Sequence, residues 1–310
     1  MSVQYITVEE DRNGQRIDNF LMAQFTQLPK TLIYRWLRKG ELRVNKKRAK
    51  QTYRVQFGDI IRVPPFHLED GEDKIIKVTP EHLNYLESLI LLENDDYLVI
   101  NKPSGIAVHG GSGINSGLIE RLRQLRPRAK KLELAHRLDK ETSGCLLIAK
   151  KYSILTHFHD ALRERQMQKK YHALVHGLWS KRVERIDLPL KRHLLPHGER
   201  VVRVDHTEGK PSLSTVKILH KYHQNTLLEV SPHTGRTHQI RVHLLANGCP
   251  IVCDDKYGDK GKDLFIERTG FKRLFLHAAE LSFTDPKSGE VVTTNAPYDH
   301  ACQRLLDKLI

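Results

Sequence analysis

Apolar residues at helical spacing predict two short helices within the first forty residues of the chain. The first lies in GQRIDNFLMAQF, and the second, KTLIYRWLRKG, follows Pro29 and ends at Gly40, where a left-handed residue can stop a helix. The apolar stripes contain Ile17, Phe20, Leu21 and Phe25 in the first helix and Leu32, Ile33, Trp36 and Leu37 in the second. Short strands follow in LRVN and FGDIIRVPP. We therefore predict a small α/β unit over residues 14–68.

The rest of the chain alternates short apolar runs with polar turns and few helices. The acidic stretch EDGED at 69–73 indicates an exposed linker over 69–84, after which a second domain occupies 85–310. The strand candidates are 97–102, 145–150, 171–177 and 226–231. Ser153 and Thr237 are each placed to cap a helix in this domain. More strands than helices predict an α+β domain on a mixed, largely antiparallel sheet.

Positive charge exceeds negative charge, with 51 Lys and Arg against 37 Asp and Glu and a formal net charge of +14. This excess favours a polyanionic partner, because each cation placed on a phosphate releases a condensed counterion. Ten basic residues but one acidic residue lie between Lys30 and Arg54. A basic helix face beside a basic loop suits the backbone of a structured RNA, although an ordinary solvated face is the alternative. The candidate RNA-binding residues are Lys30, Arg35, Arg38, Lys39, Arg43, Lys46, Lys47 and Arg48.

The cysteines and the N-terminal segment bear on the compartment. The four cysteines are scattered and form no CxxC pair, so we expect neither a disulfide framework nor a zinc site. No signal-peptide segment is visible in the first 25 residues, and no apolar run approaches the length of a membrane span. We expect a cytoplasmic protein without a membrane partner. The oligomeric state stays open, with a monomer as the working assumption.

The segment AHRLDKETSGCLLIAK, residues 135–150, places Asp139 in a polar loop before an apolar strand. Thr142, Ser143 and Gly144 allow a tight turn in which the backbone can approach a ligand. An aspartate held by a buried strand has a fixed position while its oxygens remain reachable, which suits catalysis. Taken alone, however, such an aspartate could simply cap the turn.

Two other segments hold residues of chemical interest. Tyr171 begins a strand in KKYHALVHG, and Arg241 follows His238 by one helical turn in SPHTGRTHQIRVHLLANGCPI. In isolation, such a tyrosine is usually a core residue and such an arginine a surface charge. His233, His238 and His243 recur every five residues, which separates neighbours by about 140° on a helix. We therefore expect no metal cluster there.

Together the three segments resemble the RluA family of pseudouridine synthases. The signature HRLDxxTSG stands intact at 136–144, and NKPSGIAVHGG (101–111), GRTHQIRVH (235–243) and RLFLHAAEL (273–281) are similar to the other motifs of the family. The pattern from Arg16 to Asp59 resembles the S4 RNA-binding domain. The resemblance covers nearly the whole chain, and it implies a pseudouridine synthase fold preceded by a small S4-like domain.

The resemblance also implies a reaction and a role for each matched residue. A pseudouridine synthase breaks the N-glycosidic bond of a flipped uridine and rejoins the same uracil through carbon, so neither a metal nor a nucleotide cofactor is needed. Asp139 would be the catalytic aspartate, paired through two hydrogen bonds with Arg241. Tyr171 would stack on the target base, Arg137 would fill the gap left by the flipped nucleotide, and Leu276 would pack near the pocket.

The sequence does not decide the chemical route at Asp139 or the uridines that are modified. Asp139 could form a covalent intermediate, or could take a proton from the ribose while supporting the broken bond electrostatically. The resemblance implies 23S ribosomal RNA or a precursor of the 50S particle as the partner, but the residues do not name the uridines. One alternative is a non-catalytic RNA-binding or ribosome-assembly factor, which would have no use for the intact HRLDKETSG segment. The other is a hydrolase with an aspartate nucleophile, which would require a water-activating base or metal set that the sequence does not show.

Overall fold

The computed structural model describes residues 3–25, 28–66, 79–110, 117–126, 132–196 and 198–309. These residues divide into two compact units. One unit contains the described residues up to Phe66 together with 151–153, and the other contains the remaining described residues from Thr79 onward. Each unit has its own core of buried apolar side chains.

The N-terminal unit is an antiparallel sheet with two helices. Its elements are β1 (Gln4–Thr7), α1 (Ile17–Gln24), α2 (Lys30–Lys39), β2 (Arg43–Val44), β3 (Lys47–Arg48) and β4 (Ile60–Val63), with a short 3-10 turn at Glu10–Arg12. The strand order is β1-β4-β2-β3. Both predicted helices are confirmed, and Gly40 ends α2 with a φ of 71°. Strand β1 lies before residue 14 and pairs with β4, so the sheet reaches further toward the N-terminus than the apolar stripes indicated.

The rest of the chain combines one large sheet with peripheral helices. Its strands are β5 (Ile90–Glu93), β6 (Tyr97–Lys102), β7 (Glu133–Leu134), β8 (Ser143–Ala149), β9 (Gln168–His176), β10 (Arg185–Asp187), β11 (Leu190–Leu194), β12 (Arg200–Val204), β13 (Leu213–Lys221), β14 (Asn225–Pro232), β15 (Leu276–Thr284) and β16 (Val291–Asn295). Its helices are α3 (Pro80–Ser88), α4 (Leu118–Leu125), α5 (Tyr152–Arg163), α6 (Gln239–Ala246), α7 (Lys260–Glu267) and α8 (His300–Lys308).

The large sheet confirms the prediction of a mixed, largely antiparallel architecture. Its main path is β10-β13-β14-β9-β15-β8-β6-β5, with β7 added to β8 and β16 added to β15, while β11 and β12 form a separate ribbon. Among the described strands, only β8 and β15 pair in parallel. All seven residues of β8 are buried, as expected of a central strand covered on both faces.

Glycine is required where β8 meets β15. Gly144 has a φ of 108°, and a Cβ built there would lie 2.2 Å from the carbonyl oxygen of Ala278. Any side chain would therefore push the two strands apart, in addition to straining the backbone. This close approach sets the position of the loop that precedes β8, which carries Asp139.

Three boundaries differ from the predictions. Helix α6 begins at Gln239, and the turn before it is held by the Gln239 side chain, whose amide oxygen accepts from Arg236 N, so Thr237 is not its cap. Helix α5 begins at Tyr152, which places Ser153 inside it. The Thr79 hydroxyl caps α3, so residues 80–84 of the predicted linker are helical. Residues 69–78 of that linker lie outside the described residues. Among the residues that the structure describes, no helix is both long enough and apolar enough to cross a bilayer.

Candidate active site

A cavity of about 130 Å³ lies between the loop before β8, the strands β9 and β15, and the N-terminus of α6. Its walls contain all five residues that the sequence assigned to this domain's site, namely Arg137, Asp139, Tyr171, Arg241 and Leu276. These residues come from four separate segments of the chain. The fold therefore brings them together as the motifs predicted.

Two histidines, the partly buried His136 and the buried His277, flank the loop that carries Asp139. His136 accepts a hydrogen bond from Leu147 N at 3.2 Å, and burial lowers the pKa of its imidazole to about 3. His277 lies 2.9 Å from the Ala296 carbonyl oxygen through Nε2 and 2.9 Å from the Ser143 hydroxyl through Nδ1. Because a carbonyl only accepts, Nε2 carries the proton and Nδ1 accepts from Ser143. Burial lowers the pKa of His277 to about 4, so both rings are neutral at pH 7 and fix the loop through hydrogen bonds.

The Asp139 carboxylate faces two nitrogen donors without a close bond to either. Its Oδ2 atom lies 4.0 Å from Nη1 of Arg241 and 3.9 Å from Nε2 of His238, and the side chain is 24% exposed. Among the described residues, no side chain or amide forms a hydrogen bond with this carboxylate. Its oxygens are therefore available to a ligand inside the cavity.

The predicted pairing of Arg241 with Asp139 is present as an ion pair at 4.0 Å, but the two hydrogen bonds expected between them are not formed. Arg241 donates instead to Asp254, from Nε to Oδ2 at 2.7 Å and from Nη2 to Oδ1 at 2.5 Å. Burial opposes the charge of Arg241, but the hydrogen bonds and the charge of Asp254 outweigh it and raise the pKa of the guanidinium. Asp254 also accepts from the backbone N–H groups of Lys256 and Tyr257, so it lies at the start of a tight turn. The turn thus holds the guanidinium rigidly, with Nη1 directed toward Asp139.

His238 belongs to the site. The sequence analysis considered this residue only as part of a possible metal cluster, which it excluded. Its Nδ1 lies 2.8 Å from the hydroxyl of Tyr257, which itself accepts from Val202 N at 2.9 Å. Donation from Tyr257 to Nδ1 leaves the ring proton on Nε2, which faces Asp139. Burial, partly offset by the charge of Asp139, lowers the pKa of His238. Its place between Gly235 and Arg241 in GRTHQIRVH was the available sequence signal.

Tyr171 and Leu276 form the apolar side of the cavity. Both are buried and come from the adjacent strands β9 and β15. Burial, followed by the negative charge of Asp139, raises the pKa of Tyr171, so the phenol is protonated at neutral pH. A flat neutral ring beside a carboxylate can support a planar base.

Lys102 is a second residue that the sequence did not single out, although it stands in the NKPSG motif. Its buried ammonium donates to the carbonyl oxygens of Pro103, Ile106 and Lys140 at 2.8, 2.9 and 2.9 Å. Burial lowers the pKa of this lysine to about 7. The three bonds tie the loop after β6 to the loop that carries Asp139.

The candidate RNA-binding residues of the N-terminal unit lie on α2 and on the hairpin that joins β2 to β3. All eight are exposed: Lys30, Arg35, Arg38, Lys39, Arg43, Lys46, Lys47 and Arg48. We call this set the basic face. In the part of the chain that the structure describes, none of them forms an ion pair. The same part contains no group of three or more His, Cys, Asp or Glu side chains that could hold a metal ion.

Comparison with known proteins places these features in a family. Residues 96–246 match the RNA pseudouridylate synthase family, and residues 15–61 match the S4 domain. The chain is 51% identical to the ribosomal large subunit pseudouridine synthases C of Salmonella typhimurium and of Escherichia coli, in each case over 99% of this chain and 97% of the relative.

Solved structures agree with that placement. The human RNA pseudouridylate synthase domain containing 4 is similar at a TM-score of 0.60 and 26% identity, covering 73% of this chain and 95% of its own. The human RNA pseudouridylate synthase domain containing 1 is similar at a TM-score of 0.54 and 29% identity, covering 67% of this chain and 82% of its own.

Proposed function

This chain belongs to the RluA family of pseudouridine synthases, and from that premise we propose that it converts uridines of 23S ribosomal RNA to pseudouridine in the bacterial cytoplasm. The single observation that carries the proposal is the cavity in which Asp139, Tyr171 and the fixed guanidinium of Arg241 converge. A non-catalytic RNA-binding factor has no need of such a cavity. The names of the relatives support the choice of large-subunit RNA.

Asp139 is the proposed catalytic residue. A carboxylate can serve as the nucleophile at the ribose or remove a ribose proton, and both routes require it to be ionised. Arg241, held by Asp254, places a positive charge 4.0 Å from the negatively charged carboxylate oxygen, and Nε2 of His238 lies 3.9 Å from the same oxygen. The two donors also restrict the orientation of the carboxylate. No atom is gained or lost in the isomerisation, so the chain needs only to hold the detached uracil while it turns.

The flipped base would contact Tyr171 and Leu276, and Arg137 would fill the gap that it leaves. Extrusion of a uridine from its stack costs about a few kcal/mol. The ring of Tyr171 and the side chain of Leu276 offer buried surface that recovers part of this cost. Arg137 is exposed at the rim of the cavity, where it can occupy the space left in the RNA. The basic face would bind the RNA backbone, in keeping with the match to the S4 domain.

The test is a map of pseudouridine in total RNA from cells that lack this protein. We expect uridines to replace pseudouridines at specific positions of 23S ribosomal RNA, and expression of the wild-type chain to restore them. Expression of Asp139→Asn should not restore them. An unchanged map of large-subunit RNA would refute the substrate, and restoration by Asp139→Asn would favour the RNA-binding factor.

A further inference from the structure

A groove of about 630 Å³ opens beside the catalytic cavity. It shares Arg137, Lys169, Pro232, Thr234 and Gly235 with the cavity wall. Its volume lies within the range of roughly 300–1,000 Å³ that is usual for ligand sites. Among the described residues that line the groove, there is no Asp or Glu. The groove is therefore electropositive and continuous with the place where the reaction would occur.

Lys169 is the most informative residue of the groove. It lies on β9 two residues before Tyr171, and burial lowers the pKa of its ammonium. Within the described ranges, no side chain or carbonyl pairs with it. Its neighbour Lys170, by contrast, forms an ion pair with Glu280 at 2.8 Å. A partly buried ammonium without a protein counter-charge, in a groove free of carboxylates, is well placed to receive an anionic ligand.

Two arginines and an apolar surface complete the groove. Arg137 and Arg165 are exposed at its edge, and in the described part of the chain neither forms an ion pair. Met167, which is buried, and Pro232 contribute apolar surface to the groove. A groove with cations at the edge and apolar atoms below suits a nucleotide, whose phosphate is anionic and whose base is flat and largely apolar on its faces.

We propose that this groove binds the nucleotide adjacent to the everted uridine, with Lys169 as the ligand of its phosphodiester. The inference rests on the proposed function, since it assigns the path of the same RNA strand. Because the groove and the cavity share a wall, a strand that inserts one base into the cavity can place its next phosphate within the groove. Lys169 stands on that shared wall.

The test measures binding and turnover of a protein-free 23S ribosomal RNA transcript by the full chain. For Lys169→Met we expect about a tenfold rise in Kd and KM, because a charged hydrogen bond is removed, with kcat within about threefold of wild type. The slope of log Kd against log salt should fall by about 0.7–0.9, the contribution of one neutralised phosphate. Lys169→Arg should retain the wild-type slope.

A matched control distinguishes binding at this groove from the general attraction between surface lysines and RNA. Lys221→Met removes one exposed lysine of β13 that lines neither the groove nor the cavity, and we expect no change in slope. Arg165→Met, at an exposed position of the groove, should reduce affinity in the same direction as Lys169→Met. Wild-type affinity and slope in both Lys169→Met and Arg165→Met, with normal wild-type turnover, would overturn the groove assignment alone. Absence of turnover by the wild-type chain would overturn the proposed function and the groove assignment with it.

Discussion

The catalytic cavity and the basic face of the N-terminal unit use positive charge in opposite ways. In the cavity, one guanidinium is buried and held by two hydrogen bonds to Asp254, so that it points at a single oxygen of Asp139. On the basic face, eight cations are exposed and, among the described residues, carry no ion pair. The first arrangement fixes geometry and the second supplies only charge density.

The difference teaches which property each region requires. Stabilisation of a developing charge depends on dipoles and cations that are already oriented in a poorly hydrated space. Attraction to a polyanion depends on how many phosphates are neutralised, since each one releases counterions independently of exact geometry. A conservative exchange should therefore be severe in the cavity and nearly silent on the basic face.

The largest expected effect is that of Asp139→Asn. Loss of the charge at an almost unchanged volume should reduce the single-turnover rate of pseudouridine formation by at least about a thousandfold, because both possible routes need an ionised carboxylate. The Kd for the RNA should stay within about twofold of wild type. The control is Asp255→Asn, which alters an exposed carboxylate on the outer side of Arg241 and should keep most of the activity. Equal rates for the two variants would remove Asp139 from the reaction.

A smaller loss, about a hundredfold in kcat, is expected for Arg241→Lys. Lysine can offer a point charge but cannot hold both Asp254 oxygens while directing a further N–H toward Asp139. The same exchange on the basic face, Arg35→Lys, should change kcat and Kd by less than twofold, because its charge is preserved. Comparable losses in the two variants would show that the regions do not differ as we describe.

A fall in pH should lower the free energy of unfolding of the unit that contains the catalytic cavity before it changes the charge of the basic face. The pKa of His277 is about 4 in the folded chain against about 6.5 when unfolded. Between these pH values the unfolded chain binds more protons than the folded chain. The contribution of the neutral His277 ring to the free energy of unfolding is therefore present above about pH 6.5 and is lost as the pH falls toward 4. The expected loss from His277 alone is about 2 kcal/mol between pH 6.5 and pH 5, and His136, whose pKa is about 3, adds to it.

Urea denaturation can follow the catalytic unit through Trp179, provided that Trp36 in the N-terminal unit is replaced in a Trp36→Phe background. The free energy of unfolding should fall over this pH range, and His277→Gln should reduce the dependence without abolishing it, because burial also lowers the pKa of His136. A flat profile in the parent chain would show that the buried ring is not held neutral.

The smallest effect on the reaction rate is expected from the basic face. Substitution of Arg43, Lys46 and Lys47 by Met should weaken RNA binding and lower the salt slope by about 2–3, with about 0.7–0.9 for each phosphate that is no longer neutralised. The value of kcat at saturating RNA should stay within about twofold of wild type. Fluorescence anisotropy with a labelled RNA at several salt concentrations measures the slope. A fall in kcat with an unchanged slope would contradict the division between charge and geometry.

Much of the fold could be predicted from local patterns. The apolar stripes and the Pro29 and Gly40 signals located both N-terminal helices, and the run at 97–102 coincides with β6. The start of α6 was missed, because the stabilising hydrogen bond there comes from the Gln239 side chain rather than from a hydroxyl at the cap. Helix α3 was missed because its weakly apolar sequence resembles the acidic stretch before it.

The sequence by itself determined the types of residue available for chemistry, the order of the motifs and the location of the excess positive charge, since these are properties of the chain and of its local periodicity. Only the tertiary structure decided that Arg241 donates its hydrogen bonds to Asp254 while its charge faces Asp139, that His238 faces the same carboxylate, and that, among the described residues, Lys169 lacks a counter-charge. The physical reason is that burial, hydrogen-bond partners and electrostatic environment depend on distances between segments that are remote in sequence. Those distances exist only after β8, β9, β15 and α6 have packed together.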